Sequence, residues 1–172
     1  MESKKQKKST RRQVRESGSA RPSLTREGIV QAALKIMDRD GYTALSMRRL
    51  GTELKVDPMA VYYHFPNKSA LLDGVVELVM SGIDLGRDDP SQTALERLCR
   101  AAHIYREALL AHPQAVQISA VRQLNTPASL RPVEFLLEIL LGAGLSHTDS
   151  VTFVNIFGRF VRGVVLLEIR EM

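Results

Sequence analysis

Residues 56–72 read VDPMAVYYHFPNKSALL. Tyr62, Tyr63, His64 and Phe65 stand in a row there, in a chain whose aromatic content is only 5%. Asp57 followed by Pro58 marks a helix start. The aspartate can accept from the free N–H groups of the first turn, and proline lacks the N–H that would be orphaned at that position. Pro66 stops this short helix, and Asn67 can cap the next one. Just upstream, Ser46 can cap another short helix with apolar positions at Met47, Leu50 and Leu54, and Lys55, Val56 and Asp57 form the turn between the two. Two short helices joined in this way make a helix-turn-helix, an arrangement whose second helix enters the major groove of DNA.

On that reading the aromatics divide their work. Val61 and Phe65, four apart, face inward and lock the helix. Tyr62, Tyr63 and His64 project on the other side, where tyrosine hydroxyls can reach phosphates or the rings can stack on sugar and base edges. Pro58, Met59 and Ala60 occupy the first turn, and their small or apolar side chains suit thymine methyls better than hydrogen-bonded reading. His64 and Lys68 lie close enough to add phosphate contacts. The competing account is that the aromatics simply fill a small core.

Outward from this segment the pattern is helical. Ile29, Val30, Ala33, Leu34, Ile36 and Met37 recur at three-to-four spacing between Thr25, a plausible N-cap, and Gly41, a plausible stop. A fourth helix should run from Lys68 to Ser81. The segment SGIDLGRDDP, 81–90, is rich in glycine, proline and aspartate and marks a boundary. Further helices are expected at about 91–111, 113–124 and 127–142, and from His147 to the C-terminus, separated by Pro113, Pro127 and the pair Gly142 and Gly144. With no convincing period-two run, the expected fold class is all-α. The expected organisation is a basic arm over 1–21, a DNA-binding helix-turn-helix domain over 22–80 and a helical effector-binding and dimerisation domain over 90–172.

The net charge of +5 is uneven: residues 1–21 hold eight Lys or Arg against Glu2 and Glu16, leaving the remainder slightly negative. Such an arm suits either contact with a polyanion or a disordered, solubilising tail. The single cysteine, Cys99, excludes an internal disulfide, suits a reducing compartment, and reads as a small core residue. No uninterrupted run reaches the ~18 apolar residues of a membrane helix and the charged N-terminus lacks a secretory h-region, so a cytoplasmic protein is expected. An enzyme would need chemistry that the residues do not offer. There is no G-x-S-x-G, H-E-x-x-H, C-x-x-C or P-loop, and His64, His103, His112 and His147 are scattered without metal-ligand spacing. No metal or other cofactor is expected. A non-specific DNA-compacting protein remains the other rival, suggested by the arm alone.

The run LTREGIVQAALKIMDRDGYTALSMRRLGTELKVDPMAVYYHFPNKSALL, with its DGYTALSMRRLG block and its Y-x-H-F-x-N-K signature, resembles the DNA-binding domain of the tetracycline-repressor (TetR) family of bacterial regulators. The resemblance implies an all-helical homodimer that binds a palindromic operator, most often as a repressor, and is released by a small-molecule inducer. Carried over by position, it implies DNA contacts from Thr25, Ser46, Arg48, Pro58, Met59, Ala60, Tyr62, Tyr63, His64 and Lys68.

The second half, through YREALLAHPQAV, RPVEFLLEILLGAGLS and FGRFVRGVVLLE, resembles the family's tetracycline-repressor-type effector domain. Apolar walls for its pocket are supplied by Leu98, Ile104, Val116, Leu124, Phe135, Ile139, Phe153 and Phe157. Polar pocket candidates are His103, Gln117, Asn155 and Arg159. Drug-binding members carry a metal-ligating histidine where this chain offers Gln117 and Ile118, so a magnesium–tetracycline complex is not inferred. Members also continue past VVLLE with helices that complete the dimer interface. The apolar face Val161, Val164, Val165 and Leu167 is therefore expected to need a partner.

Overall fold

The computed structural model describes residues 24–85, 89, 91–119, 122 and 126–171. The basic arm, Leu124 and the end of the expected 113–124 helix fall outside them. Among the described residues there are eight α-helices and no strand: α1 (Arg26–Asp40), a 3-10 turn (Tyr42–Ala44), α2 (Met47–Leu54), α3 (Pro58–His64), α4 (Lys68–Ser81), α5 (Ala94–Leu110), α6 (Pro113–Ser119), α7 (Pro127–Gly142) and α8 (His147–Glu171).

The N-caps read from the sequence are made. Thr25 accepts from Gly28 N–H, Ser46 from Arg49, Asp57 from Met59 and Asn67 from Ala70, each satisfying one of the free donors of its helix. Gly41 ends α1 at φ 83°, a region where glycine carries no Cβ penalty. Lys55 ends α2 in the left-handed region at φ 56°, and its neighbour Val56 returns a 2.9 Å N–H bond to the Gly51 carbonyl. This chain reversal lays α3 across α2.

Three buried clusters hold the fold. The first joins α1 to α4 around Ile29, Ile36, Met37, Leu50, Val61, Phe65 and Leu71, and takes in Ala115 and Ile118 of α6. The second lies among α5, α7 and α8 around Ala101, Leu136, Leu140 and Val154. The third packs Leu109 and Val116 against Val161 and Val165 of α8. Met80, near the end of α4, packs against all three. Met80 thus ties α4 to all three clusters.

Two expectations are corrected here. Cys99 is exposed on α5 rather than a core residue. Val161 and Val165 are not an uncovered face: both are buried in the third cluster. Besides Val151, α8 leaves Phe153, Ile156, Phe160 and Leu167 outside. Their spacing of three, four and seven, with exposed Gly163 between the last two, follows a heptad seam. By length and composition alone α8 could cross a membrane, and 22% of its apolar window is buried in the fold.

Candidate nucleic-acid interface and effector cavity

The candidate reading surface is built on a locked α3. Val61 and Phe65 are fully buried against α1 and α4, as their spacing requires. Their burial turns Met59 and Tyr63 outward, 70% and 90% exposed, with Tyr62 exposed beside them. Tyr63 and His64 meet edge-to-face with ring centroids 5.5 Å apart. The end of the helix is pinned from α1. Arg26 donates a 2.7 Å hydrogen bond to the His64 carbonyl and lies 4.0 Å over the Phe65 ring.

Pro58 and Ala60, half-buried, complete the first turn of α3. On α2, Ser46 caps the helix while Arg49 pairs with Asp40 at 2.6 Å and Arg39 with Glu53 at 3.1 Å. Glu53 is held below the usual carboxylate range by its hydrogen bond from Arg39. Arg48, exposed next to these pairs, makes no ion pair among the described residues. Lys68 opens α4 with its ammonium 4.6 Å over the Tyr42 ring. Thr25, Arg48, Lys68 and the α3 face thus bear exposed or half-exposed donors around an apolar centre. Tyr42 and Arg26 were missed by sequence reading, because their roles depend on contacts across 26 and 38 positions of chain.

A cavity of about 200 Å³ lies among α4, α5, α7 and α8. Val76 and Met80 of α4, Tyr105 of α5, Val133 and Leu136 of α7, and Phe157 of α8 form much of its wall. Two arginines reach it. Arg162 donates a 2.9 Å bond to the Tyr105 hydroxyl, and burial pushes that phenol above its ordinary range while the Arg162 charge pulls the other way. Arg122 pairs with Asp73 and donates to the Ser69 carbonyl at 3.1 Å and the Ser69 hydroxyl at 3.2 Å, clasping α4.

The five polar and aromatic pocket residues expected from the sequence are not brought together. Asn155 lines the cavity, its amide donating to the Val151 carbonyl at 2.9 Å. His103 is exposed on α5 with Nδ1 2.8 Å from the Cys99 carbonyl, which requires that nitrogen to carry the proton. Gln117 borders a shallow groove with Gly163, Leu167 and Arg170. Phe135 packs half-buried against the second cluster, and Arg159 is exposed. Of the expected apolar walls among the described residues, Phe157 alone faces the cavity, whereas Val116 and Ile139 are core. Among the described residues no cluster of His, Cys, Asp and Glu could hold a metal ion.

A family model described as bacterial regulatory proteins, tetR family, matches residues 29–75, and one described as tetracyclin repressor-like, C-terminal domain, matches 87–171. The Streptomyces coelicolor TetR family protein ActR, solved in complex with (S)-DNPA, superposes with a TM-score of 0.79 at 30% identity, over 84% of this chain and 71% of that one. The chain belongs to the TetR family. Two curated relatives are also similar. An HTH-type transcriptional regulator of Saccharopolyspora erythraea is 30% identical over 86% of this chain and 62% of its own length. The HTH-type transcriptional repressor DrrR1 of Streptomyces coeruleorubidus is 31% identical over 87% and 55%. The chain thus spans 55–62% of the length of these two curated relatives.

Proposed function

We propose that this TetR-family chain is a ligand-responsive transcriptional repressor that binds a palindromic operator as a homodimer and leaves it when a small molecule occupies the α4–α5–α7–α8 cavity. The observation that carries the reading is the outward face of α3. A large, exposed Met59 and Tyr63 on a helix whose other face is fully buried has no structural use in the monomer, and suits base-edge contact in a major groove. The residues offered to DNA are Thr25, Ser46, Arg48, Pro58, Met59, Ala60, Tyr62, Tyr63, His64 and Lys68.

The cavity communicates with that face through α4. Lys68 stands at one end of the helix beside the reading head, while Val76 and Met80 form cavity wall further along. The Arg122 clasp on Ser69 and Asp73 lies between these ends. A ligand that favours one tilt of α4 changes the distance between the two α3 helices of a dimer. Half-sites are fixed ~34 Å apart, so a shift of a few ångströms spoils simultaneous docking. A coupling of ~1–3 kcal/mol changes occupancy many-fold. That ActR was also solved with actinorhodin supports a small organic molecule as effector. The partner surface is the Phe153, Ile156, Phe160 and Leu167 seam of α8, met by its own copy.

Selection of random duplex DNA on the whole chain tests the reading. The expected outcome is an enriched inverted repeat with half-sites about one helical turn apart. Enrichment without a consensus would favour the non-specific DNA-compacting alternative, and no retention of DNA would end both.

A further inference from the structure

Arg162 brings a positive charge to the cavity wall, and its partner there is a neutral phenol, Tyr105, at 2.9 Å. Among the described residues no carboxylate lies within ion-pair distance of it, and none lines the cavity. The second arginine of the wall, Arg122, is already matched by Asp73. The remaining surface is largely apolar, from Val133, Leu136, Val154 and Phe157. A guanidinium in such a setting is fully neutralised only by an acid placed in its plane, where its fork can make two parallel hydrogen bonds. Gly158 stands beside it: a Cβ added there would lie in ordinary contact, 3.5 Å from a terminal nitrogen of Arg162.

We infer that the cavity selects an apolar organic acid, its acidic group paired with Arg162 and its hydrophobic body against Val133, Leu136 and Phe157. The inference rests on the reading of this cavity as the effector site and names the class of effector. A neutral ligand of the same shape would leave the guanidinium without a counter-charge. A cationic one would be repelled.

Two fluorescent probes separate charge from shape: 8-anilinonaphthalene-1-sulfonate and N-phenyl-1-naphthylamine, the same ring system without the sulfonate. Both are titrated into the whole chain in the absence of DNA, so operator recognition does not enter the result. The anion is expected to bind more tightly than its neutral analogue. Arg162→Gln should weaken the anion by roughly tenfold to a hundredfold, the range for a lost hydrogen-bonded charge pair, and change the neutral probe by about twofold or less. Arg162→Lys should recover part of the anion affinity. Val133→Trp, which fills the cavity without altering charge, should weaken both probes and so locate them. Equal binding of the two probes, an Arg162→Gln loss shared equally by both, or indifference of both to Val133→Trp would each overturn the inference. Circular dichroism of each variant keeps a folding failure from being read as a binding loss.

Discussion

Arg26 reaches from the first turn of α1 to the last carbonyl of α3, donating a 2.7 Å hydrogen bond to His64 while its guanidinium covers Phe65. A cation at a helix C-terminus meets the negative end of the macrodipole, so the contact combines charge, hydrogen bond and ring stacking. Arg26→Ala is expected to lower stability by about 1–2 kcal/mol, the hydrogen bond to a charged donor being discounted for its exposure. Operator affinity should fall as well, because the end of the reading helix loses its pin. Arg26→Lys keeps the charge without the planar fork and should recover only part of the loss. Urea denaturation followed by circular dichroism gives the first quantity and fluorescence anisotropy on the selected operator the second.

Tyr63→Ala and Met59→Ala separate folding from reading. Both side chains are mostly exposed, and the ring contact of Tyr63 with His64 lies on the surface, so stability should change by less than about 0.5 kcal/mol. Operator binding should weaken by about 1–3 kcal/mol for either. Val61→Ala, between them in the sequence but on the buried face, should instead cost stability, as large-to-small core changes do. If Tyr63→Ala bound operator as well as the parent chain, the α3 face would not be the reading surface.

Gly51 sets how closely α2 and α3 approach. A Cβ added there would stand 3.1 Å from the Val56 carbonyl and 3.2 Å from Pro58, and these are largely backbone atoms that cannot swing aside. Replacing glycine inside a helix normally gains about 1 kcal/mol of propensity. With a branched side chain the crowding outweighs that gain, so Gly51→Val should destabilise the first cluster by about 1–3 kcal/mol. The reading helix would tilt at the same time, and thermal unfolding together with operator affinity should fall in parallel. A more stable Gly51→Val variant would show that the turn is looser than its geometry indicates.

The helix-turn-helix was legible in the sequence because its determinants are local. Asp57 before Pro58, Asn67 after Pro66, and the four-residue spacing of Val61 and Phe65 each act within one or two turns, and each appears as expected. The cavity was not legible, because which side of α8 faces inward depends on how α5 and α7 pack against it. Arg159 and Arg162 are equally conspicuous in the apolar run FGRFVRGVVLLE, yet one turn separates a solvated arginine from the one that lines the cavity. Arg122 shows the same limit. Nothing near it in the sequence announces a clasp on Ser69 and Asp73, 53 and 49 positions earlier.

Phe160 and Val161 are adjacent on α8, one exposed and the other buried, which makes them a matched pair for testing the partner surface. Phe160 is 69% exposed in the middle of the heptad seam, flanked by Ile156 at 62% and Leu167 at 64%, whereas Val161 is buried against Leu109 and Val116. Phe160→Glu places a charge where a second copy would bring its own, and desolvating both would cost more than the lost apolar contact alone. It should convert a dimer to a monomer by analytical ultracentrifugation while the helical circular dichroism is kept. Operator affinity should collapse, since a single reading head forfeits the second half-site. Val161→Glu, by contrast, buries an unpaired carboxylate and should cost on the order of 3–5 kcal/mol of folding stability, whatever the oligomeric state. A dimeric Phe160→Glu protein with intact operator binding would move the partner contact away from this seam.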